Sequence, residues 1–272
     1  MAVPPLDHKA KGYSLQQAYW LGQAAKLAYS EEAEIRATTA SWGFDRFRHY
    51  CSTHRMPFPI EDTQAYTVAS DQMIITAFRG TQPLQICDWL SDVTTPPVPG
   101  PGGKGLVHVG FNQALRCVYP EIRDTIEEFR DNNQTIWFTG HSLGGALAML
   151  AGATLYFEEP NLLPDGVYTF GQPRTCDRTL AKAHDSAFTS RLYRFVNNND
   201  IVAHAPPEPV FHHVEALKYF DADGELHDRL PLFGVLRDKA KGLTADLLAP
   251  GTDTVRDHLM DRYLANIEKN LA

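Results

Sequence analysis

Apolar residues along the chain change period several times, and each change marks an element. Leu15, Ala18, Leu21, Ala25 and Ala28 recur at spacings of three and four, which predicts a helix over 14–29. Two short β-prone runs, 65–69 and 73–78, flank Ser70-Asp71-Gln72 and read as a hairpin or as adjacent strands. The proline- and glycine-rich stretch 96–105 predicts an irregular surface loop. Leu115, Val118, Ile122, Ile126 and Phe129 then share one helical face, predicting a single helix over 112–130. Residues 135–139 form a continuous apolar run, the mark of a strand covered on both faces. An Ala/Leu-rich helix is expected over 143–157, a strand over 167–170, a helix over 177–188 and a strand over 191–196. Residues 210–220 and 225–227 flank Asp221-Ala222-Asp223-Gly224 as a late hairpin. Val255, Leu259, Leu264, Ile267 and Leu271 predict a closing helix over 254–271.

Strand–helix–strand alternation through the middle of the chain predicts an α/β fold with a mainly parallel central sheet and helices on both faces. No internal repeat or composition break divides it, so residues 1–272 read as a single domain. Apolar residues make up 43% and charged residues 21%, enough to build a core of that kind. The net charge of −8, with no basic stripe, argues against nucleic acid, which needs clustered Lys and Arg. No run approaches the roughly 18 apolar residues of a membrane span. Residues 1–20 lack a charged segment followed by an apolar run, so no secretion signal is visible. That leaves the compartment open between the cytoplasm and export with a leader outside this sequence. Cys51, Cys87, Cys117 and Cys176 show no paired spacing and read as mostly reduced thiols filling apolar sites.

The chemistry concentrates at Gly140-His141-Ser142-Leu143-Gly144, between the apolar run 135–139 and the Ala/Leu helix. That strand–turn–helix context is what a nucleophile elbow requires. Residues two before and two after the serine must be small, and the following helix N-terminus favours developing negative charge there. A serine hydroxyl needs a base and a group to orient that base. The acids that follow are Asp200, Asp221, Asp223 and Asp228, and the bases His204, His212, His213, His227 and His258. Asp200 directly follows the strand at 191–196, whereas Asp221 and Asp223 flank Gly224 and fit a turn. His212-His213 comes with neither HExxH nor a carboxylate cluster, so no metal site is expected, and no cofactor either. Gly100-Pro101-Gly102-Gly103-Lys104-Gly105 is literally GxGxxG, but it follows prolines and opens no evident helix, which excludes a dinucleotide site.

Thr139-Gly140-His141-Ser142-Leu143-Gly144-Gly145-Ala146-Leu147-Ala148 resembles the nucleophile motif of the class 3, fungal-type triacylglycerol lipases of the α/β-hydrolase superfamily. Phe78-Arg79-Gly80-Thr81, Asp88-Trp89-Leu90-Ser91-Asp92 and Val107-His108-Val109-Gly110-Phe111 match in the expected order. So do Thr169-Phe170-Gly171-Gln172-Pro173-Arg174, Val196-Asn197-Asn198-Asn199-Asp200-Ile201-Val202 and Asp257-His258-Leu259-Met260-Asp261-Arg262-Tyr263. The resemblance implies an α/β-hydrolase fold with a short lid and a triad of Ser142, Asp200 and His258. The backbone N–H of Leu143, just after the nucleophile, is one oxyanion donor by geometry, and the resemblance assigns the other to Thr81. It places the lid at about 82–95, where Leu84, Ile86, Trp89 and Leu90 would cover the site in water and meet lipid when open. His141, beside the nucleophile but pointing away from Oγ, is expected to pack or to line the acyl pocket of the substrate site.

The implied activity is lipase or carboxylesterase hydrolysis of acylglycerols or similar esters through an acyl-enzyme, with modest interfacial activation at a lipid–water interface. A phospholipase A1 or feruloyl esterase is the alternative within the same chemistry. A non-catalytic binding module on this fold is the alternative outside it. Chain-length preference and oligomeric state have no signature in the sequence.

Overall fold

The computed structural model of the chain describes residues 4–53, 62–80, 96–188, 190–206, 208–229 and 256–271. Helix α1 (Leu15–Leu27) opens on Ser14, whose side chain accepts the Gln17 N–H and so caps the first turn. A second helix, α2 (Glu32–Ser41), leads into β1 (Arg46–Thr53), β2 (Asp62–Ala69) and β3 (Met73–Phe78). Strands β4 (Pro97–Pro99) and β5 (Leu106–His108) form a small separate ribbon. Helices α3 (Val109–Arg116) and α4 (Tyr119–Phe129) lead into β6 (Thr135–His141). The elements α5 (Leu143–Glu158), β7 (Gly166–Phe170), α6 (Arg178–Ala187) and β8 (Leu192–Asn197) then alternate. Strands β9 (Leu217–Phe220) and β10 (Leu226–His227) precede the closing helix α7 (Met260–Leu271).

The main sheet runs β1-β2-β3-β6-β7-β8-β9-β10. It is parallel from β3 to β9 and antiparallel at both margins. Every residue of β6 is buried, as its continuous apolar run predicts. Ile136 and Phe138 join the core under α3, α4 and α5, while Trp137 joins the core under α1 and α7. Register aligns Phe78 with Gly140 and His141 with Phe170. The carboxyl ends of β3, β6 and β7 thus meet along one edge, the usual place for a site in an open parallel sheet.

Several sequence expectations are corrected. The single helix expected over 112–130 is two, because Pro120 lacks the N–H an interior helical position needs but suits a first turn. The loop expected over 96–105 contains β4 and a 3-10 turn at Pro101–Gly103, since proline is tolerated on an edge ribbon. The late hairpin begins only at Leu217, after Ala216 at φ 66° turns the chain; upstream, His212 makes a single bridge to Cys176. The closing helix starts at Met260; Thr254 and Val255 lie outside the described residues. Helix α2 and strand β1 carry no legible pattern: only Ile35 and Thr39 are buried in the helix, and β1 interleaves Arg46, Arg48 and His49 with its aromatics.

Buried neutral histidines give the fold a pH dependence. His184 stacks on Phe188 at 4.2 Å between ring centroids, and burial pushes its pKa down to about 3. The unfolded chain therefore binds one more proton than the folded one between about pH 6.5 and 3, so stability is full above that range and falls on acidification. His184→Phe keeps the stacked ring and removes the proton. Unfolding free energies from urea titrations between pH 6 and 4 should show a pH slope smaller by about 1.4 kcal/mol per unit; an unchanged slope contradicts the assignment.

Candidate active site

The elbow is built by backbone crowding. Ser142 has φ 59° and ψ −129°, a left-handed strained conformation for a residue with a Cβ, and it sits between β6 and α5. A Cβ on Gly140 would lie 2.1 Å from the Gly144 carbonyl oxygen, and one on Gly144 would lie 2.2 Å from that of Phe78. Both flanking glycines are thus obligatory. Leu143 occupies the first position of α5, where its N–H has no intrahelical acceptor and faces the region beside Ser142.

Asp200 and His258 meet although 58 residues separate them: His258 Nδ1 lies 2.9 Å from both carboxylate oxygens of Asp200. Both side chains are buried. Burial by itself would raise the Asp200 pKa. The neighbouring His258, together with hydrogen bonds from it and from Tyr263, outweighs burial and holds the carboxyl below its usual range. Val202 N–H donates to Oδ1 at 2.9 Å and Tyr263 O–H donates to Oδ2 at 2.5 Å. His258 Nε2 is buried and has no hydrogen-bond partner among the described residues, including Ser142 Oγ. Such a bond commonly closes only in the substrate complex.

The loop carrying His258 is tied down on both sides. Asn197 Nδ2 donates to the Asp257 carbonyl at 2.9 Å. His141 lies with its ring centroid 4.5 Å from that of His258, and its Nε2 is 2.6 Å from the His258 carbonyl. A carbonyl only accepts, so His141 carries its proton on Nε2, and Tyr29 O–H donates to Nδ1 at 2.9 Å. Burial, then the neighbouring His258, pushes the His141 pKa down to about 3, so this ring stays neutral. His141 therefore does more than pack: it links Tyr29 to the backbone of His258.

Of the residues singled out in the sequence, Ser142, Leu143, Asp200, His258 and His141 come together at the ends of β6 and β8 and the start of α7. Thr81 and the lid residues Leu84, Ile86, Trp89 and Leu90 lie outside the described residues. Asp221 accepts the N–H groups of Asp223 and Glu225 in a turn, as expected. His212 and His213 bond to the carbonyls of Pro209 and Ala203. Among the described residues no His, Cys, Asp or Glu cluster could hold a metal.

Sequence reasoning gave no role to Tyr263, Asn197, Tyr29 or Gly171. Tyr29 and Tyr263 look like core tyrosines in the sequence, and Asn197 like the first of three polar residues after a strand. Gly171 follows β7 at φ 59°, and a Cβ there would lie 2.6 Å from Asp200 Oδ2 and 2.8 Å from His258 Nδ1. The conformation and the space both demand glycine. Gly171→Ala is expected to displace the Asp–His pair and lower kcat about 100-fold, the scale of an ångström-sized misplacement. Ester hydrolysis within threefold of the unsubstituted protein would contradict this.

A mainly parallel sheet with a strained serine between strand and helix defines an α/β-hydrolase. The model of the class 3 lipases matches residues 75–210, 136 of the 272, and the chain belongs to the class 3 lipase family. It is 37% identical to the lipase of Rhizomucor miehei over 156 residues, covering 54% of this chain and 42% of that protein. It is 28% identical to phospholipase A1-IIalpha of Arabidopsis thaliana over 165 residues, 49% of this chain and 38% of that one. The solved structure of the Rhizomucor miehei triacylglyceride lipase is similar at TM-score 0.60 and 26% identity, covering 89% of this chain and 91% of that one. The chain spans about two fifths of the length of the fungal lipases it matches in sequence.

Proposed function

We propose that the chain hydrolyses carboxylic esters of lipid-like substrates through an acyl-enzyme on Ser142. The observation that carries this reading is the Asp200–His258 pair at 2.9 Å, buried beside a serine held in the elbow conformation. His258 Nε2 takes the Ser142 proton as Oγ attacks the ester carbonyl, then returns it to the departing alkoxide. Asp200 fixes the Nδ1–H tautomer and stabilises the imidazolium. The Leu143 N–H stabilises the oxyanion, with Thr81 as the second donor on the strength of the family motif. Water then releases the acid by the reverse sequence of proton transfers. Leu84, Ile86, Trp89 and Leu90 would form the lid over this site. Hydrolysis that shows no rise as an ester passes its solubility limit would count against that lid.

The similar solved structure is named a triacylglyceride lipase, which favours acylglycerols, and the plant relative named a phospholipase A1 makes a phospholipid with the same ester linkage the second reading. An alkyl fluorophosphonate is expected to label the protein at Ser142, whereas a Ser142→Gly variant takes no label. An unlabelled native protein would overturn the hydrolase reading.

A further inference from the structure

Tyr29 lies just past α1, outside residues 75–210 that the class 3 lipase model matches. Two bonds hold the helix before it to the sheet. The Thr139 hydroxyl donates to the Leu21 carbonyl at 3.0 Å, and the Tyr66 hydroxyl to the Ala24 carbonyl at 2.8 Å. The phenol oxygen is thereby held between the chain that leaves β3 and the end of β6. A Cβ on buried Gly80 would lie 2.3 Å from that oxygen, 2.5 Å from the His141 carbonyl oxygen and 3.2 Å from Ser142 Cβ. Only glycine lets the chain after β3 come so close to the nucleophile.

Three hydrogen bonds run through this phenol in one direction. The Gly80 N–H donates to its oxygen, and its own O–H donates to His141 Nδ1 at 2.9 Å. His141 Nε2–H then donates to the His258 carbonyl at 2.6 Å. A backbone N–H only donates and a carbonyl only accepts, so the two ends fix every proton between them. Bonds chained in this way polarise and strengthen one another. One end of the chain is the residue before Thr81, to which the family motif gives the second oxyanion donor. The other end is the backbone of the general base. Negative charge on the oxyanion and positive charge on the imidazole develop together in the tetrahedral intermediate, so the spacing of those two ends bears on the rate.

We propose that Tyr29 is a positioning residue for ester hydrolysis, whose hydroxyl holds the oxyanion side and the base side of the site at a fixed separation through Gly80 and His141. This rests on the hydrolase reading. Among the described residues no hydrogen bond joins Tyr29 to Ser142 or to the His258 ring, so it acts through its two neighbours. The first helix of the chain thus serves the chemistry from outside the segment that carries the triad serine and aspartate.

Tyr29→Phe keeps the ring and leaves the Gly80 N–H and His141 Nδ1 unpaired. With a soluble alkyl ester its kcat should fall about 30-fold with KM within threefold, short of the 100-fold cost of an ångström-sized misplacement. A kcat within threefold of the unsubstituted protein overturns the proposal. His141→Phe breaks the same chain while keeping a ring on His258. The double variant should therefore be at most about threefold worse than the more impaired single one, and losses that multiply overturn the chain. Tyr29→Gly separates the hydroxyl from the ring. It leaves a gap in the wall of a cavity of about 470 Å³ that Tyr29 lines, through which a small phenol can enter. p-Cresol should raise its kcat at least fivefold and toluene should not. Equal effects of the two, or none from either, in a folded variant overturn the role of the hydroxyl; if the glycine variant does not fold, Tyr29→Phe and the double variant decide. Fluorophosphonate labelling keeps the two readings apart. A labelled protein in which Tyr29→Phe is fully active loses the positioning role alone, and an unlabelled one loses the hydrolase reading as well.

Discussion

Ser142→Gly is expected to abolish ester hydrolysis, with kcat lower by about 10⁶, and yet to yield a protein more stable than Ser142→Ala. Alanine keeps the Cβ and with it the strain of φ 59°, ψ −129°. Glycine adopts that backbone freely, releasing about 1–3 kcal/mol. Against this stands about 0.5–1 kcal/mol of extra chain entropy that glycine loses on folding. The balance favours glycine by roughly 1 kcal/mol, or about 2–4 °C in Tm for a domain of this size. In a helix interior the order would be reversed. Melting curves of the two inactive variants decide it: an alanine variant as stable as the glycine one would mean that the elbow holds no strain.

The elbow was legible in the sequence because its cause is local. Gly140 and Gly144 are spaced by the turn itself, and the apolar run before them and the Ala/Leu helix after them are each continuous. Asp200 and His258 were legible through their place after a strand and before a helix, together with the family motifs. What the sequence hid depends on tertiary geometry. Gly171 is one glycine among 19, and only the folded chain places Asp200 and His258 where its Cβ would be. Tyr263 sits in the apolar stripe of α7, where a core tyrosine and one bonded to a carboxylate look alike. His141 was recognised as facing away from Oγ, but its bond to the His258 backbone requires the C-terminal loop to fold over β6.

Asp200→Asn is expected to lower kcat by about 10⁴ while leaving the fold intact, and the hydrogen bonds around the carboxylate explain why. Oδ1 accepts the Val202 N–H, Oδ2 accepts the Tyr263 O–H, and both lie 2.9 Å from His258 Nδ1. An asparagine supplies one oxygen. Placed at Oδ2, that oxygen leaves the amide NH₂ facing the Val202 N–H, two buried donors without an acceptor, which costs about 1–3 kcal/mol. Placed at Oδ1, it satisfies Val202 and turns the NH₂ toward Tyr263 and His258. Tyr263 can rotate its hydroxyl, but His258 Nδ1 then becomes an acceptor and its proton moves to Nε2. That tautomer cannot take the Ser142 proton. The loss should therefore fall on kcat, with KM nearly unchanged, and alkyl fluorophosphonate labelling should slow in proportion. Tyr263→Phe removes one donor without altering the tautomer, so its loss should be about tenfold, the worth of one hydrogen bond to a charged group. If both variants lose activity equally, tautomer control by Asp200 is wrong, and the carboxylate acts through its packing alone.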